Sequence, residues 1–225
     1  MTSLIKVFFL LNNLQGSIPS TLGNCQNYLS CLDPAQNNLS GPIPKEVVEI
    51  PSLSIYLDLS KNQLTGPLST EVGELVNLGY LEFSHNWLSG EIPGSLRSCI
   101  MLENLHLEGN YFQGSIPELL RFLRALQHLN LSHSNLTGQI PKFLAGFRLL
   151  QYLDLSFNDI QGGMPKQGVF GNASAVSILG NNKLCGGISQ LNLSTCIPNI
   201  SKRQKSSAKQ MLIIAIPCGF LGFFL

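Results

Sequence analysis

Aromatic and acidic side chains recur at fixed spacing in this 225-residue sequence, in positions suited to binding a partner. Tyr56, Tyr80 and Tyr152 each stand two residues before an acidic side chain. Rigid aromatic rings are effective binding anchors because they lose little rotamer entropy when a partner covers them. The pattern predicts a ligand-binding surface, and its candidate residues are Tyr56, Asp58, Tyr80, Glu82, His106, His128, Tyr152 and Asp154.

Four histidines lie in or beside these positions and raise the question of a metal site or a pH switch. They are His85, His106, His128 and His133. Metal sites that can be recognised from sequence have spacings such as CxxC or HExxH, and neither occurs here. We therefore expect no metal and no cofactor, and we interpret these histidines as part of a polar surface.

Catalytic motifs and a strong net charge are both absent from the sequence. It contains no GxGxxG, no VAIK-like lysine, no HRD with a downstream asparagine and no DFG. Charged residues make up only 12% of the chain and the formal net charge is +1, which provides no basic field for nucleic acid. The sequence therefore predicts a non-catalytic protein that does not bind nucleic acid.

An internal repeat indicates which elements must position the candidate residues. The motif LxxLxLxxN recurs every 24 or 25 residues, and its anchor positions are Asn12, Asn37, Asn62, Asn86, Asn110, Ser134, Asn158 and Asn182. A period of this length indicates a solenoid, and the alternating leucines predict one short strand per repeat. Residues between the leucines should face solvent on a concave parallel sheet. The alternative is that the recurring YLDLS pattern is ordinary repeat consensus and is merely solvated.

The segment NxLxGxIP follows the anchors and predicts the turn that closes each coil. Its glycine lies four residues after the anchor, and a proline usually follows three residues later. The anchor asparagine is expected to bond main-chain groups inside the turn, so Ser134 should weaken its repeat. Pro34 replaces the third leucine of the second strand and cannot donate a ladder hydrogen bond, so that strand should be defective.

The NxLxGxIP motif with its 24-residue period resembles the plant-specific class of leucine-rich repeats. The stretch GVFGNASAVSILGNNKLCGG, then Cys196, a basic stretch and an apolar segment, resembles the end of the ectodomain in plant receptor kinases that include immune receptors for bacterial patterns. The resemblance implies an α/β leucine-rich-repeat solenoid, with a parallel β-sheet on the concave face and short 3-10 or helical turns on the convex side. It also implies extracellular ligand perception, a single membrane span and a cytoplasmic Ser/Thr kinase.

We interpret the chain as four segments. Residues 1–170 hold about seven repeats, 171–196 a degenerate last repeat and C-terminal cap, 197–210 a basic juxtamembrane linker, and 211–225 a partial transmembrane helix. The last segment is uncharged, but its helix would be only about 22 Å long against a hydrocarbon core of about 30 Å. A loose apolar C-terminus is the alternative. The apolar run from Val7 to Leu11 fits the first repeat, and we do not interpret it as a signal peptide.

Cysteines and glycosylation sequons both bear on the compartment. Cys185 and Cys196 bracket the last repeat, and we expect a disulfide there that contributes about 2–3 kcal/mol by closing a short loop. Cys25 and Cys99 share one repeat position but lie too far apart to bridge, so they should pack as small apolar groups. The six sequons suit a secreted surface, although asparagine-rich repeats produce some by chance: Asn38, Asn130, Asn135, Asn172, Asn192 and Asn199.

These features predict a non-catalytic ectodomain fragment of a plant membrane receptor, in signalling or defence perception. Its expected partners are a peptide or protein ligand, a co-receptor kinase ectodomain, and the membrane through the C-terminal segment. The repeats would be extracellular. Two alternatives stay open: an intracellular leucine-rich-repeat scaffold or tail-anchored protein, and a receptor Ser/Thr kinase whose catalytic half is missing from this sequence.

Overall fold

The computed structural model describes residues 5–9, 11–25 and 28–196. These residues form a leucine-rich-repeat solenoid with two parallel sheets of eight strands each. The predicted linker at 197–210, the predicted partial transmembrane helix at 211–225 and Asn199 lie outside the described residues. Within those ranges, no helix has the length and apolar character needed to cross a membrane.

Each repeat contributes one strand to the first sheet and one to the second sheet, and each strand pairs in parallel with its counterparts in the neighbouring repeats. The first sheet contains β1 (Ile5–Phe8), β3 (Leu29–Asp33), β5 (Tyr56–Asp58), β7 (Tyr80–Glu82), β9 (Asn104–His106), β11 (His128–Asn130), β13 (Tyr152–Asp154) and β15 (Val176–Ser177). The second sheet contains β2 (Gln15–Ser17), β4 (Asn38–Pro42), β6 (Gln63–Pro67), β8 (Trp87–Glu91), β10 (Tyr111–Ser115), β12 (Asn135–Gln139), β14 (Asp159–Met164) and β16 (Lys183–Gly186).

The second sheet differs from the sequence prediction, which expected only a turn in the NxLxGxIP segment. The glycines predicted to permit this turn do have positive φ angles, between 73° and 91°. Stacking of the coils then places equivalent extended segments of successive repeats side by side, where their main-chain groups pair. The pairing depends on contacts between repeats, so no single repeat reveals it.

Short helical segments complete the coils and lead back to the first sheet. One is an α-helix, α1 (Lys45–Val48), and the others are 3-10 helices. The 3-10 helices span Ser20–Cys25, Thr70–Glu74, Gly94–Ser98, Glu118–Phe122, Lys142–Gly146, Gly168–Gly171, Ala173–Ala175 and Ser189–Leu191. A proline in extended conformation immediately precedes several of them and sets where the helix begins.

The core lies between the two sheets and the helical segments. The central leucine of each strand from β5 to β13, such as Leu57, Leu81 or Leu105, is fully buried. The second-sheet residues Leu64, Leu88 and others at the same repeat position pack against them in one continuous cluster. Burial of these apolar columns in every repeat stabilises the solenoid and fixes the register of the first sheet.

The anchor asparagines form a hydrogen-bonded ladder inside the coils. Asn110 is typical: its side-chain Nδ2 donates to the main-chain oxygens of Leu107, Glu108 and Phe83, and its Oδ1 accepts from the Leu88 N–H. Equivalent bonds are made by Asn62, Asn86 and Asn158. Each anchor therefore satisfies main-chain groups in its own repeat and in the preceding one.

The last anchor is Asn181, so the assignment of Asn182 to this position was wrong by one residue. Asn181 makes the ladder bonds to Ile178, Leu155 and Ile160, whereas Asn182 is exposed. Gly180, which precedes Asn181, has the positive φ angle found immediately before the other anchors. Two adjacent asparagines cannot be told apart by spacing, and only the main-chain geometry distinguishes them.

Pro34 has a smaller effect than predicted. At the equivalent position in later repeats, a main-chain N–H donates a hydrogen bond to the next strand. The Leu59 N–H, for example, donates to the main-chain oxygen of Glu82 at 2.8 Å. Pro34 has no N–H, but β3 still extends over five residues and pairs on both sides. The prediction of a defective second strand was therefore wrong, because the proline removes one hydrogen bond and follows the end of the strand.

Ser134 interrupts the asparagine ladder, and we expect Ser134→Asn to raise the free energy of unfolding by about 1–2 kcal/mol. Asn110 and Asn158 form the ladder in the repeats on either side, and Ser134 makes none of its bonds. His133 already has the positive φ angle that precedes an anchor, so the longer side chain enters a prepared site. Urea denaturation measures the gain, and Ser134→Ala is the control that should change little. An asparagine variant no more stable than the parent would contradict this account.

Candidate functional site

The first sheet aligns the candidate residues in two adjacent columns on one face. The tyrosine column contains Tyr56, Tyr80, Asn104, His128 and Tyr152, and the acid column contains Asp58, Glu82, His106, Asn130 and Asp154. Cys31 and Asp33 of β3 continue the two columns towards the N-terminus. All eight candidate ligand-binding residues therefore lie on the same face, spaced by the strands of one sheet.

The acid column has a structural role that the sequence did not reveal. One side-chain oxygen accepts a hydrogen bond from the main-chain N–H two residues further on, as Asp58 does from Ser60 at 2.9 Å and Glu82 from Ser84 at 3.1 Å. Asp33, Asn130 and Asp154 make the same bond. The expectation that this column faces solvent was wrong for Asp33 and Glu82, which are only 7% and 8% exposed. These oxygens stabilise the turn after each strand.

The second oxygen of the acid column is engaged by the tyrosines. Tyr80 donates its hydroxyl to Glu82 at 3.4 Å, and Tyr152 donates to Asp154 at 3.1 Å. Tyr56 donates to Asp33 of the preceding repeat. Burial, together with the nearby carboxylates, raises the pKa of Tyr56 and of Tyr80 to about 12, so both hydroxyls stay protonated as donors. These bonds hold the rings in place; Tyr56 and Tyr80 are half-buried, and Tyr152 is the more exposed of the three.

Glu82, His106 and Glu108 form a cluster of ionisable groups in the middle of this face. His106 Nδ1 lies 2.8 Å from Glu82 Oε2. Burial opposes the charged forms of both groups, but their hydrogen bond prevails and leaves the pKa of Glu82 lowered and that of His106 raised. Burial raises the pKa of Glu108 to about 7, with the Glu82 charge adding to the effect. The cluster thus concentrates negative charge around one imidazole.

Glu108 is unusual for its position in the repeat. Other strands have a small residue there: Ala35, Ser60, Ser84, Ser132 and Ser156. The Glu108 Oε2 and His106 Nε2 atoms are both buried and lack a hydrogen-bond partner among the described residues. The sequence analysis did not select Glu108 as a site residue. A charged residue at a repeat position that is otherwise serine or alanine could have indicated it.

We expect Glu108→Ser to raise the free energy of unfolding above pH 7 by about 1–2 kcal/mol in metal-free buffer containing EDTA. The folded pKa of Glu108 is raised from 4.5 to about 7, so ionisation progressively destabilises the folded parent as the pH rises through this interval. Near pH 4 the carboxyl is mostly protonated in both states, and the gain should largely disappear.

Urea denaturation at pH 4 and pH 8 tests this expectation. The matched control is Glu103→Ser, which removes an exposed carboxylate from the adjacent part of the same repeat and should give no such pH-dependent gain. The Glu82–His106 pair is retained in both variants. Equal stabilisation of Glu108→Ser at the two pH values would contradict the burial of the Glu108 charge.

The other three histidines do not join this cluster. His128 contacts Asn104 in the tyrosine column, at 2.8 Å between Nδ1 and Oδ1. His133 stacks on Phe157 with ring centroids 4.3 Å apart. His85 is exposed and occupies the same repeat position as His133.

Trp87 and Tyr111 are two exposed aromatic residues that the sequence analysis did not select. They expose about half of their surface on the second sheet, near His85 and His133. The sequence feature that could have indicated them is an aromatic residue directly after the anchor asparagine.

The cysteines and sequons occupy different parts of the solenoid. Cys185 and Cys196 form a disulfide at the C-terminal end of the described residues. Cys99 is buried as expected, but Cys25 is exposed, so the expectation that it packs in the core was wrong. Asn38, Asn135, Asn172 and Asn192 are exposed, whereas Asn130 lies on the first sheet and accepts the Ser132 N–H. Four of the described sequons are thus accessible on the surface.

Family models for leucine-rich repeats match residues 77–99 and 100–160. A probable LRR receptor-like serine/threonine-protein kinase of Arabidopsis thaliana is 44% identical over 50 residues, which are 21% of this chain and 5% of that protein. The match therefore spans only a small part of that relative's length.

Solved ectodomains of plant receptor kinases share the fold. The LRR ectodomain of GASSHO1/SCHENGEN3 from Arabidopsis thaliana, in complex with CASPARIAN STRIP INTEGRITY FACTOR 2, aligns with a TM-score of 0.78 and 36% identity, covering 85% of this chain and 22% of that one. The Arabidopsis receptor kinase HAESA, in complex with the peptide hormone IDA and the co-receptor SERK1, aligns with a TM-score of 0.54 and 28% identity, covering 79% and 37%.

Proposed function

Because this chain belongs to the leucine-rich-repeat family that includes the ectodomains of plant receptor kinases, we propose that it is a non-catalytic, ligand-binding segment of such a receptor. The proposed ligand is a peptide or protein, and a co-receptor ectodomain is a second proposed partner. Signalling or defence perception would be the role of the whole receptor. HAESA, which is similar in fold, is solved with both a peptide hormone and a co-receptor.

The observation that carries this proposal is the tyrosine column. Tyr56, Tyr80 and Tyr152 present ring surface from one rigid sheet, and their hydroxyls are held by carboxylates of the acid column. Such rings bury apolar area on binding without a large loss of side-chain entropy. The face from β5 to β13 spans four strand intervals, or about 19 Å at about 4.8 Å each, which matches about six residues of an extended peptide.

The charge of the acid column supports a ligand with basic or hydrogen-bond-donating groups. Asp58 and Asp154 are partly exposed on the first sheet, and Glu82 and Glu108 lie between them. Carboxylates with low exposure attract a cationic group more strongly than fully solvated ones do, because solvent screens them less. We therefore propose that the ligand places a basic or amide donor group near the centre of the face.

An extracellular location for the repeats is part of the same proposal. The disulfide between Cys185 and Cys196 suits an oxidising compartment, and the exposed sequons at Asn38, Asn135, Asn172 and Asn192 suit passage through the secretory pathway. Attachment to a membrane through residues 211–225 is proposed from the sequence alone.

Substitution of two residues of the tyrosine column tests the binding face. A library of synthetic peptides of about 6–15 residues is screened against the secreted, folded chain, and the strongest peptide is titrated by calorimetry. We expect Tyr80→Ala and Tyr152→Ala each to weaken binding by about 2 kcal/mol, or roughly 30-fold, because rigid tyrosine rings are typical hot spots of a binding face. Glu82 is left intact because it is buried and holds the Ser84 N–H.

Tyr111→Ala is the matched control. Tyr111 is 56% exposed and Tyr152 is 37% exposed, but Tyr111 belongs to the second sheet. Its removal should change affinity by less than about 0.5 kcal/mol, as at most surface positions. A peptide that loses affinity with Tyr111→Ala and not with Tyr80→Ala or Tyr152→Ala would overturn the assignment of the binding face.

A further inference from the structure

We propose that Glu82, His106 and Glu108 form a binding site for one divalent transition-metal ion, of which Zn²⁺ is the simplest probe. Glu82 ends β7, His106 ends β9, and Glu108 lies two residues beyond His106. One ligand atom from each of the three side chains lies within 4.8 Å of the other two. Stacking of neighbouring repeats creates this site, because 24 residues of chain separate Glu82 from His106.

The donor set and its spacing fit such an ion. One imidazole nitrogen with two carboxylates is a common ligand set for Zn²⁺, with bonds of about 2.0–2.2 Å. The ligand atoms of a tetrahedral ion with such bonds are about 3.3 Å apart. His106 Nδ1 and Glu82 Oε2 are already 2.8 Å apart, so a small opening of this pair would accommodate an ion. Glu108 would complete the set by a side-chain rotation.

Two buried, unpartnered atoms indicate that the cluster is incomplete. His106 Nε2 and Glu108 Oε2 are buried and have no hydrogen-bond partner among the described residues. A buried polar atom without a partner is costly and is uncommon in a folded protein. An ion coordinated by one imidazole nitrogen and Glu108 would give Glu108 a partner and would offset the concentration of carboxylates around His106.

The surroundings hold the first ligand in place. The Ser84 N–H donates to Glu82 Oε1 at 3.1 Å, and the Tyr80 hydroxyl lies 3.4 Å from Glu82 Oε2. The Tyr80 ring also packs against His106 with centroids 5.6 Å apart. Such outer contacts orient ligands and are typical of metal sites. Three protein ligands would leave one position of a tetrahedral ion open, which a water molecule could fill.

Zinc titration of the tag-free, EDTA-stripped full chain tests the proposal. Isothermal calorimetry should show saturable binding of one Zn²⁺ that Glu108→Ser and His106→Asn each weaken at least tenfold. Both substitutions restore residue types found in the same columns of other repeats, so the fold should tolerate them. Thermal melting with Zn²⁺ should show a rise in Tm for the parent that both variants lose.

His128→Asn is the matched control because it removes a neighbouring first-sheet histidine and introduces the residue found at Asn104. It should bind Zn²⁺ like the parent. Two results would overturn the site: no saturable binding up to about 1 mM Zn²⁺, or one-to-one binding that persists unchanged in Glu108→Ser and His106→Asn. The second result would place the ion elsewhere, for example at the exposed Cys25. The titration requires no peptide ligand, so its outcome is independent of the proposed receptor function.

Discussion

Replacing Asn110 by alanine should lower the free energy of unfolding by about 3–5 kcal/mol. Asn110 is 4% exposed, and its amide makes four hydrogen bonds to main-chain groups of two repeats. Alanine would leave the Leu88 N–H without its acceptor and would remove a donor from three carbonyl oxygens. Because Asn110 lies in the middle of the solenoid, the loss weakens the contact between the repeats before and after it.

Denaturation in urea, followed by circular dichroism, measures this loss. Asn182→Ala is the matched control: it truncates an exposed asparagine, and we expect a change below about 0.5 kcal/mol. The comparison also tests the placement of the last anchor at Asn181. If Asn182→Ala were as destabilising as Asn110→Ala, the assignment of Asn181 as the last anchor would be wrong.

Removal of the disulfide should have the second largest effect on stability. We expect Cys185→Ser/Cys196→Ser to lower the free energy of unfolding by about 2–3 kcal/mol, because the bridge restricts the unfolded chain over a loop of 11-residue separation. The bridge also joins the C-terminal segment to the last coils: the Cys196 sulfur lies next to Gly163 and Gly186, and the Gly186 N–H donates to the Ser194 main-chain oxygen at 2.7 Å. Without the bridge, the last repeat should unfold before the others.

A reductant distinguishes the bridge from a mere change of side chain. Dithiothreitol should reduce the stability of the parent to that of the double variant and should leave the variant unchanged. Cys25→Ser is the control for an exposed, unbridged cysteine and should match the parent in both conditions. A parent insensitive to reductant, with free thiols at both positions by mass spectrometry, would show that the bridge does not form in the folded protein.

The candidate site illustrates how structural and binding roles overlap in a repeat protein. The sequence placed Tyr80 and Glu82 together as solvent-facing binding residues, but Glu82 is buried and caps the turn through Ser84. Substituting both residues would therefore mix a loss of stability with a loss of binding. The tyrosine rings can be removed separately, and for this reason they provide the cleaner test of the binding face.

Several features of the protein followed from the sequence alone. The repeat period, the buried central leucines, the glycines with positive φ and the shared face of the tyrosine and acid columns all depend on the pattern within one repeat. Alternation along a strand fixes which side chains point to the core, and a constant period places equivalent residues in line. Local chain geometry is sufficient for these features.

Other features were decided only by the stacking of repeats. The second sheet, the burial of Glu82 and the meeting of Glu82 with His106 and Glu108 all require groups about one repeat apart in the chain to come within contact distance. The choice between Asn181 and Asn182 likewise depended on which side chain reached main-chain groups of the preceding repeat. The sequence specifies what each coil contains, whereas hydrogen bonding and burial between coils determine which of its polar groups are occupied and which are left to bind a partner.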